Sequence, residues 1–492
     1  MSDIFLHDCL RRYARSSPEK SAVISAESQL SYRELYERIV SFAAYLKKNL
    51  PPQSVVGIVK ENTPDALIAY YAIPFAGMVG VPVDANIHEN NLKALADRCN
   101  FKLIVTSTRI SSRFKTLSTP LLRELEFGTA ADAGLGEHLK PHDTALMFFT
   151  TGTTGLSKGV ELSHTNLLAS ARNINQFIGT DETAVEVMPM PISHSFGFGR
   201  IRCVFGVGGT VLLEKGLLRA DHVIANMEKY RATGFSCVPA GIEIMLTSFK
   251  DLFSKVSGSL RYIELGSSSM SCERRLTLME LCPNARICMH YGLTEASRST
   301  FIEFHSTPRE FLETIGRASP NVEIKLLDKE GREVGIGEAG ELVIRGEMVM
   351  KGYFKDPERT ASALRNGYLH TGDLAMRNAE GFLSYIGRED EVINYGGFKI
   401  SPFEIETALL KFPNVKDAAA IGVRSRTTGL TTLIKAFVVP KDDSVAIDSS
   451  EIRRHCLSDL EAYKIPGEIE VVRDLPKTES GKLKRLELRE IR

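Results

Sequence analysis

The sequence predicts an α/β fold that begins with parallel sheets, continues through hairpins or a small barrel, and ends in a compact unit of helices and strands. Three observations lead to this prediction. Helical patterns alternate with short β-branched runs in the first half, glycine-rich turns interrupt short strands after about residue 320, and helix–strand units return from about residue 390. Strand–helix–strand alternation is typical of a mainly parallel sheet with helices on its faces.

The alternation is clearest near the N-terminus. Residues 30–50 place apolar side chains at helical spacing, and residues 54–60 (SVVGIVK) predict a buried strand. Residues 65–84 predict a helix, a turn and a strand, and residues 101–107 (FKLIVTS) predict another strand. The same rhythm recurs between residues 208 and 268, so we expect that stretch to contribute further parallel strands.

The second half has a different texture. The segment VEIKLLDKEGREVGIGEAGELVIRGEMVMKGYF has short strands separated by glycine-rich turns, which favours hairpins or a small barrel. From about residue 390, segments such as SPFEIETALLKF and KAFVVP indicate a separate helix–strand unit. No low-complexity linker precedes this unit, so the boundary near Asp390 is short and suits a hinge better than a tether.

Composition excludes several classes of protein. Lys+Arg and Asp+Glu both total 61, so the net charge gives no reason to expect binding to nucleic acid or to an anionic membrane. No long uncharged apolar run predicts a membrane span, and the N-terminus lacks the apolar core of a signal peptide. The eight cysteines are scattered without metal-ligand spacing, which favours buried thiols in a reducing cytoplasm.

A glycine- and threonine-rich loop is the strongest local signal. In ALMFFTTGTTGLSKGVELSH (145–164) an apolar strand leads into a loop whose glycines can turn backbone N–H groups inward, while its hydroxyls and one lysine add donors and positive charge. Such a loop can cradle a polyphosphate, although its lysine spacing is not that of a P-loop. The structural alternative is a polar turn between strands. The candidate phosphate-binding residues are Thr150, Thr151, Gly152, Thr153, Thr154, Gly155 and Lys158.

Further motifs follow in order along the chain: PMPISHSFGFG (189–199), CMHYGLTEASRS (288–299), GYLHTGDL (367–374), YIGREDEVINYGGFKISPFEIE (385–406) and LPKTESGKLKR (475–485). Together with the loop they resemble the superfamily of adenylate-forming enzymes, which comprises acyl- and aryl-CoA synthetases, peptide-synthetase adenylation domains and luciferases. The resemblance extends from about residue 30 to 485 and is strongest to acyl-CoA synthetases. It implies a large N-terminal domain (1–388) of βαβ-type sheets plus a small barrel, and a mobile α+β lid domain (391–492), with the hinge near Asp390.

The resemblance also implies how ATP is held. Attack of a carboxylate on the α-phosphate brings anions together, so the site must neutralise charge and align the reacting groups. Tyr291, followed by Gly292, matches the ring that packs on adenine, and Thr294 matches a hydroxyl near the α-phosphate. Glu295 matches the carboxylate associated with Mg²⁺, a cation that prefers oxygen ligands. Asp373 resembles the residue that holds the ribose hydroxyls, with Arg388 nearby.

The C-terminal domain is expected to serve two reactions with opposite faces. Lys482 resembles the lid lysine that meets the α-phosphate and the carboxylate during adenylation. Rotation about Asp390 then presents the loop of Gly396, Gly397 and Lys399 on the thiol-acceptor side. Taken singly, each of these residues could be an ordinary surface or turn residue. Because they occur in the same order as the family's motifs, a functional role is favoured for each of them.

The acid pocket is expected around His194, Phe196, Gly266, Ser267 and Ser268. His194 could instead be a packed core histidine. Ser267 replaces a glycine that is usual in the family, and Ser269 replaces a proline; these hydroxyls disfavour a plain long-chain fatty acid, because burying an unpaired hydroxyl costs about 1–3 kcal/mol. Ser195 and Phe196 stand where amino-acid-activating relatives have an aspartate. A medium acyl, branched or aryl acid fits better.

The function implied is ATP-dependent activation of a small carboxylic acid through an acyl-adenylate, followed by thioester formation with CoA. The chain is therefore interpreted as an acid–thiol ligase that uses ATP, Mg²⁺ and CoA. One alternative is an acyl-AMP ligase that loads the phosphopantetheine arm of a carrier protein. A more distant alternative is a non-catalytic nucleotide-binding regulator, which the presence of the candidate acidic and basic residues disfavours.

Overall fold

The computed structural model describes residues 3–125, 128–132, 134–150, 158–388, 391, 393–395, 398–424, 431–442, 444, 447–460, 462–477 and 483–488. They divide into two compact units. The first comprises Met1–Leu312, Ala318–Glu323 and Ile344–Leu369, and the second comprises Glu313–Arg317, Ile324–Val343 and His370–Arg492. The architecture is mixed α/β, which confirms the predicted fold class. The domain division near Asp390, which lies outside the described residues, stays a prediction.

The strands occupy short stretches throughout the chain. Up to residue 320 they are β1 Ser21–Ile24, β2 Gln29–Ser31, β3 Val55–Val59, β4 Val79–Val83, β5 Phe101–Val105, β6 Leu121–Leu122, β7 Thr144–Thr150, β8 Lys158–Ser163, β9 Val185–Met188, β10 Thr210–Leu213, β11 Gly234–Cys237, β12 Tyr262–Leu265, β13 Arg286–Tyr291, β14 Thr300–Glu303 and β15 Arg317–Ala318. After residue 320 they are β16 Glu323–Leu327, β17 Ala339–Arg345, β18 Gly352–Tyr353, β19 Leu364–Arg365, β20 Tyr368–Arg377, β21 Leu383–Arg388, β22 Ile393–Tyr395, β23 Phe398–Ile400, β24 Val415–Arg424, β25 Thr431–Pro440 and β26 Glu468–Val471.

The helices lie mainly between these strands. They are α1 Asp8–Ser16, α2 Tyr32–Asn49, α3 Pro64–Phe75, α4 Glu89–Cys99, α5 Thr108–Ser111, α6 His164–Ile178, α7 Ser195–Val207, α8 Ala220–Lys229, α9 Pro239–Thr247, α10 Lys250–Ser257, α11 Cys272–Leu281, α12 Pro357–Ala363, α13 Pro402–Leu410, α14 Ser449–Cys456 and α15 Arg485–Leu488. Short 3₁₀ turns occur at Arg309–Phe311 and Ala462–Lys464. Among the described residues, no helix combines the length and the apolar character needed to cross a bilayer.

The first unit contains two sheets with parallel centres. One runs in the order β14–β13–β12–β11–β9–β10–β1–β2, and its central strands from β13 to β1 are all parallel. The other runs β18–β8–β7–β4–β3–β5–β6, with parallel pairing from β7 through β4 and β3 to β6 and antiparallel pairing of β8 with β7 and β18. The predicted strands at residues 54–60 and 101–107 are confirmed as β3 and β5.

Local sequence explains where the flanking helices begin. At the start of α2, Ser31 caps the backbone N–H of Glu34, and the Glu34 side chain caps Ser31 in return. Ser163 and Asn166 form the same reciprocal cap at the start of α6, directly after β8. The cores beneath these elements are built from residues such as Val81, Phe235 and Ile263, all fully buried. A continuous apolar strand pattern is the expected consequence of burial on both faces.

The second unit contains smaller sheets. Strands β16, β17, β20 and β21 are neighbours in that order, and β20 and β21 form an antiparallel hairpin, in agreement with the glycine-turn pattern of the sequence. Further along, β22 and β23 form a hairpin, and β24, β25 and β26 form a sheet that packs with α13 and α14 around a separate apolar core. The predicted helix–strand unit after residue 390 is confirmed.

Candidate functional site

Several predicted residues lie where neighbouring parallel strands end. β9, β11, β12 and β13 run side by side in one direction. The chain after β9 leads to His194, the chain after β12 begins with Gly266, and β13 ends at Tyr291. In open α/β sheets the carboxyl ends of parallel strands form the usual ligand-binding crevice. The topology therefore gathers the predicted acid-pocket and adenine residues at one edge of the sheet.

The predicted phosphate loop joins the two strands of a hairpin. Thr150 ends β7 and pairs with Lys158, the first residue of β8. The intervening candidates Thr151, Gly152, Thr153, Thr154 and Gly155 lie outside the described residues. This pairing brings the backbones of Thr150 and Lys158 side by side at the ends of the two strands.

A tyrosine that the sequence did not single out connects two predicted residues. Tyr353 donates its hydroxyl to Oε1 of Glu295 at 2.9 Å, and its ring centroid lies 5.5 Å from Nζ of Lys158. The position of Tyr353 is set by β18, which pairs antiparallel with β8 so that Tyr353 faces Val160. A basic and an acidic group predicted to act on ATP are thus held near one another by a shared aromatic residue.

The turn after β13 meets the start of α7. Oγ1 of Thr294 lies 3.4 Å from Oγ of Ser195, the first residue of that helix. His194 occupies the N-cap position and its side chain is exposed, so it is not a packed core histidine. Gly292 passes so close to the backbone of Arg298 that a Cβ would lie 2.4 Å from that nitrogen. Only glycine fits there, which explains the glycine after Tyr291 in the motif.

In the second unit, adjacent strands bring Asp373 and Arg388 together. They face each other in the β20–β21 register, and Nη1 of Arg388 lies 3.4 Å from Oδ1 of Asp373. The same nitrogen donates to the carbonyl of Thr371 at 3.1 Å. The Tyr385 hydroxyl lies 3.5 Å from Asp373, and burial, reinforced by this carboxylate, raises the pKa of Tyr385. Asp373 is therefore a buried carboxylate in a defined polar setting, suited to accepting hydroxyl hydrogen bonds.

The remaining candidates belong to the C-terminal segment. Asp390, Gly396, Gly397 and Lys482 lie outside the described residues. Of Lys399 the structure describes the backbone, which pairs with Asn394 in the β22–β23 hairpin. The roles of all five stay predictions.

A buried ionic cluster lies beneath the acid-pocket residues and was missed from the sequence. Its charged members are Glu186 on β9, Arg200 on α7, Glu264 on β12 and Arg298 after β13, joined by His290 on β13. Nη2 of Arg200 lies 2.5 Å from Glu186, Nε of Arg200 lies 3.2 Å from Glu264, and Nε of Arg298 lies 3.0 Å from Glu264. The signal available in the sequence was one glutamate inside each of two otherwise apolar strands, VEVM and YIEL.

Electrostatics keep this cluster balanced. Burial alone would raise the pKa of Glu264, but the guanidinium groups of Arg298 and Arg200 hold it below its ordinary value. Burial lowers the pKa of His290, so the imidazole is neutral at pH 7. Two carboxylates and two guanidinium groups remain, and their charges cancel. Buried charges persist only when paired in this manner.

The arrangement suits a nucleotide polyphosphate with a divalent cation. Among the described residues, no three His, Cys, Asp or Glu side chains lie together as a ready-made metal cage. Mg²⁺ usually binds one or two carboxylates and completes its octahedron with water and substrate phosphates. The single half-buried carboxylate of Glu295, near the lysine that begins β8, fits that mode of binding.

Comparisons with known proteins point in one direction. The family model described as AMP-binding enzyme matches residues 10–354, and that described as AMP-binding enzyme C-terminal domain matches residues 404–482. The chain is 28% identical to the long-chain-fatty-acid–CoA ligase of Haemophilus influenzae, over 98% of this chain and 94% of that protein. It is 31% identical to feruloyl-CoA synthase of an Amycolatopsis species, over 97% of both. It is also similar to the solved structure of the amide bond synthetase McbA from Marinactinospora thermotolerans, with a TM-score of 0.88 and 25% identity over 99% of both chains.

Proposed function

Because this chain belongs to the family of AMP-binding enzymes, we propose that the residues gathered at the carboxyl ends of β9, β12 and β13 bind the ATP and acid of a ligation reaction. The chain is an AMP-forming acid–CoA ligase of the acyl-CoA synthetase type. One observation carries the assignment of its site. Tyr353 contacts both the carboxylate of Glu295 and the ammonium group of Lys158. A carboxylate suited to a metal cation and an ammonium group suited to a phosphate therefore lie beside the same side chain.

The first half-reaction joins the acid to AMP. A carboxylate oxygen of the acid forms a bond to the α-phosphorus, and the bond between the α- and β-phosphates breaks, so that pyrophosphate leaves with the electron pair. Lys158 attracts the phosphates and Thr294 offers its hydroxyl to the α-phosphate region. Glu295 would hold Mg²⁺, which would supply charge neutralisation on the phosphates when bound. Asp373 accepts hydrogen bonds from the ribose hydroxyls, and Arg388 holds Asp373 in place.

The second half-reaction transfers the acyl group. The thiol sulfur of CoA forms a bond to the carbonyl carbon of the acyl-adenylate, and the thiol proton passes to water. The bond from that carbon to the phosphate oxygen breaks, so that AMP leaves with the electron pair. We assign Lys482 to adenylation and the loop of Gly396, Gly397 and Lys399 to the thiol side, with Asp390 as the hinge. CoA is favoured over a carrier protein as the acceptor because the named relatives are CoA ligases or synthases.

The acid is proposed to be a medium acyl, branched or aryl acid. We expect Phe196, which is buried, to form a wall of the pocket and the exposed residues Ser267 and Ser268 to border it, which would give an aromatic surface beside hydroxyl groups. An α-amino acid is disfavoured, because no carboxylate follows His194 to pair with an ammonium group.

The eight cysteines are thiols, and seven of them are buried, which supports a reducing compartment such as the cytoplasm.

The direct test is carboxylate-dependent release of pyrophosphate from ATP across a panel of acids, with and without CoA. We expect sustained release with at least one acid only when CoA is present, together with formation of its CoA thioester. A single burst of pyrophosphate that CoA leaves unchanged, but that becomes sustained turnover when a carrier protein is added, would mean that the carrier protein is the acceptor instead of CoA. Release that does not depend on any acid would contradict the proposed reaction.

A further inference from the structure

The aromatic wall of the proposed acid pocket is held from behind by two side chains of the ionic cluster. The guanidinium carbon of Arg298 lies 4.7 Å from the ring centroid of Phe196, and the ring of His290 meets the same ring edge-on at 4.8 Å. Phe196 is 7% exposed. The Phe196 ring is therefore buried and packed against both Arg298 and His290, which hold it in this position.

The space beside two glycines is occupied by the same two side chains. A Cβ on Gly266 would lie 2.1 Å from the His290 ring, and a Cβ on Gly199 would lie 2.3 Å from Nη1 of Arg298. The first glycine follows β12, and the second lies in the first turns of α7. The region between this helix and the end of β12 is thus occupied by the imidazole and the guanidinium. A long acid would need the region between α7 and the end of β12 to be empty, since an alkyl chain requires its own packing volume.

Arg298 is already satisfied by the protein. Its Nε lies 3.0 Å from Glu264, Nη1 donates to the carbonyl of Ser195 at 3.3 Å and to Oγ of Ser297 at 3.1 Å, and Nη2 donates to the carbonyl of Phe196 at 3.0 Å. Four of the five N–H groups of a guanidinium are used in this way. Each guanidinium of the cluster is matched by a carboxylate, so the charge of Arg298 is already paired with Glu264 and is not offered to a second carboxylate on the acid.

The backbone of Arg298 indicates that this placement is enforced. Its φ is +53°, a conformation that costs free energy for a residue other than glycine. Arg298 is 2% exposed and is anchored by the ion pair with Glu264. Surrounding contacts, including the ion pair with Glu264, must offset this cost.

We propose that Arg298, Glu264 and His290 form the end wall of the acid pocket, so that the enzyme selects short or compact acids with an uncharged tail and rejects long-chain acids and dicarboxylic acids. This inference rests on the proposed function, because it concerns the acid bound at the same site. It distinguishes this chain from its relative named for long-chain fatty acids.

The geometry also sets an approximate length. Thr294, assigned to the α-phosphate, lies 3.4 Å from Oγ of Ser195, while Nη1 of Arg298 lies 3.3 Å from the carbonyl oxygen of Ser195. The two contacts and the span of one residue, about 3.8 Å, together limit the separation of the two groups to at most about 10 Å. An extended alkyl chain advances roughly 1.3 Å per carbon, given a C–C bond of about 1.5 Å. An acid longer than roughly eight carbons would therefore meet the wall.

The first experiment uses the wild-type protein. CoA-dependent AMP formation is measured with butyrate, hexanoate, octanoate, decanoate, palmitate, benzoate and succinate. We expect kcat/KM to be highest at eight carbons or fewer or with benzoate, and at least about tenfold lower with palmitate and succinate, a difference of about 1.4 kcal/mol in transition-state stabilisation. Palmitate or succinate as the best acid would overturn the end wall while leaving the ligase reaction intact. No turnover with any acid would instead contradict the proposed function.

The second experiment opens the wall. The double variant Glu264→Gln/Arg298→Gly removes one charge of each sign, and glycine accepts the positive φ without strain. We expect the ratio of kcat/KM for decanoate over butyrate to rise at least about tenfold. Arg231→Gly is the matched control, because Arg231 has a φ of +52° on the exposed surface; its ratio should not change.

Folding of the double variant is checked by circular dichroism and by its residual activity with butyrate. If it does not fold, His290→Ala serves instead, because it empties the space over Gly266 without removing a charge. A folded variant whose ratio stays at the wild-type value would overturn the inference. A ratio of two acids is the decisive readout, because a purely structural loss lowers both activities equally.

Discussion

Tyr353 donates a hydrogen bond of 2.9 Å to Glu295, and this contact links the turn after β13 to β18, the strand that pairs with β8. The backbone N–H of Met350 reinforces the link by donating to the carbonyl of Glu295 at 2.8 Å. Glu295 is therefore fixed through both its side chain and its backbone. A metal-binding carboxylate that is positioned in advance loses less entropy when the cation and its phosphates arrive.

Replacing Tyr353 with phenylalanine should weaken adenylation without unfolding the protein. The ring over Lys158 is retained, but Glu295 loses its phenolic donor. A hydrogen bond to a charged group contributes about 1.5–3 kcal/mol, so we expect pyrophosphate release to slow roughly tenfold and to require more Mg²⁺ for half-maximal rate. Tyr230→Phe, at the end of α8, provides the matched control. If Tyr353→Phe and the wild type depended on Mg²⁺ equally, Glu295 would not be a ligand of the metal.

Replacing Asp373 with asparagine should alter recognition of the ribose. A carboxylate accepts hydrogen bonds from two hydroxyls, whereas an amide offers one acceptor and two donors. We expect the KM for ATP to rise roughly tenfold, and we expect the preference for ATP over 2′-deoxy-ATP to shrink. Both are measured by pyrophosphate release at a saturating concentration of acid.

The control for that experiment is Asp356→Asn, because Asp356 caps α12 by accepting from the backbone N–H of Arg359 at 3.0 Å. It should change stability slightly and leave nucleotide preference as it is. If Asp373→Asn and the wild type discriminate equally between ATP and 2′-deoxy-ATP, the ribose assignment is wrong, and Asp373 acts only as the structural partner of Arg388.

The elements that the sequence predicted correctly share a physical cause. β3 is buried along nearly its whole length and is a continuous apolar run, and β5 is buried except at Lys102. The helix α2 carries both its apolar spacing and its cap in the local sequence. Tyr353 could not be found in this way. It lies in a two-residue strand whose importance depends on pairing with β8, a contact between distant parts of the chain.

The ionic cluster was hidden for a related reason. Glu186, Glu264 and His290 come from three strands, and only the sheet order β13–β12–β11–β9 shows that they share one face. Strand order is not encoded in the spacing of residues along the chain. A lone glutamate inside an apolar strand can signal a buried ion pair, but its partner cannot be read from the same segment.

A buried glutamate in the second unit gives a pH prediction. Oε1 of Glu406 accepts from the backbone N–H of Ala420 at 2.8 Å, and Oε2 lies 2.7 Å from Nη2 of Arg485. Burial raises the pKa of Glu406 from 4.5 to about 7, against the opposing attraction of Arg485. The folded protein therefore binds this proton more tightly than the unfolded chain does. The stability that it contributes is fully present below pH 4.5 and is lost as the pH rises to about 7.

The glutamine in Glu406→Gln cannot titrate, so the variant should lose this part of the dependence of its unfolding free energy on pH. We expect the free energy of unfolding of the variant, relative to wild type, to increase by on the order of 3 kcal/mol between pH 4.5 and pH 7. Denaturant unfolding of the full chain at several pH values measures the difference. Glu404→Gln on the same helix is the control, because Glu404 is only half-buried and pairs with Lys464. A relative stability that falls as the pH rises would mean that Arg485 outweighs burial.

The lid lysine provides a test of the two-reaction design. Lys482→Ala removes the positive charge assigned to the developing charge on the α-phosphate and the acid, so we expect adenylation to fall at least roughly 100-fold, about 2.7 kcal/mol or more. Thioester formation from supplied acyl-adenylate should fall much less, because that step uses the opposite face of the domain. Lys484→Ala, which removes a lysine paired with Glu487, is the nearby control. Equal losses in both half-reactions would mean that Lys482 supports the fold of the domain rather than one of its faces.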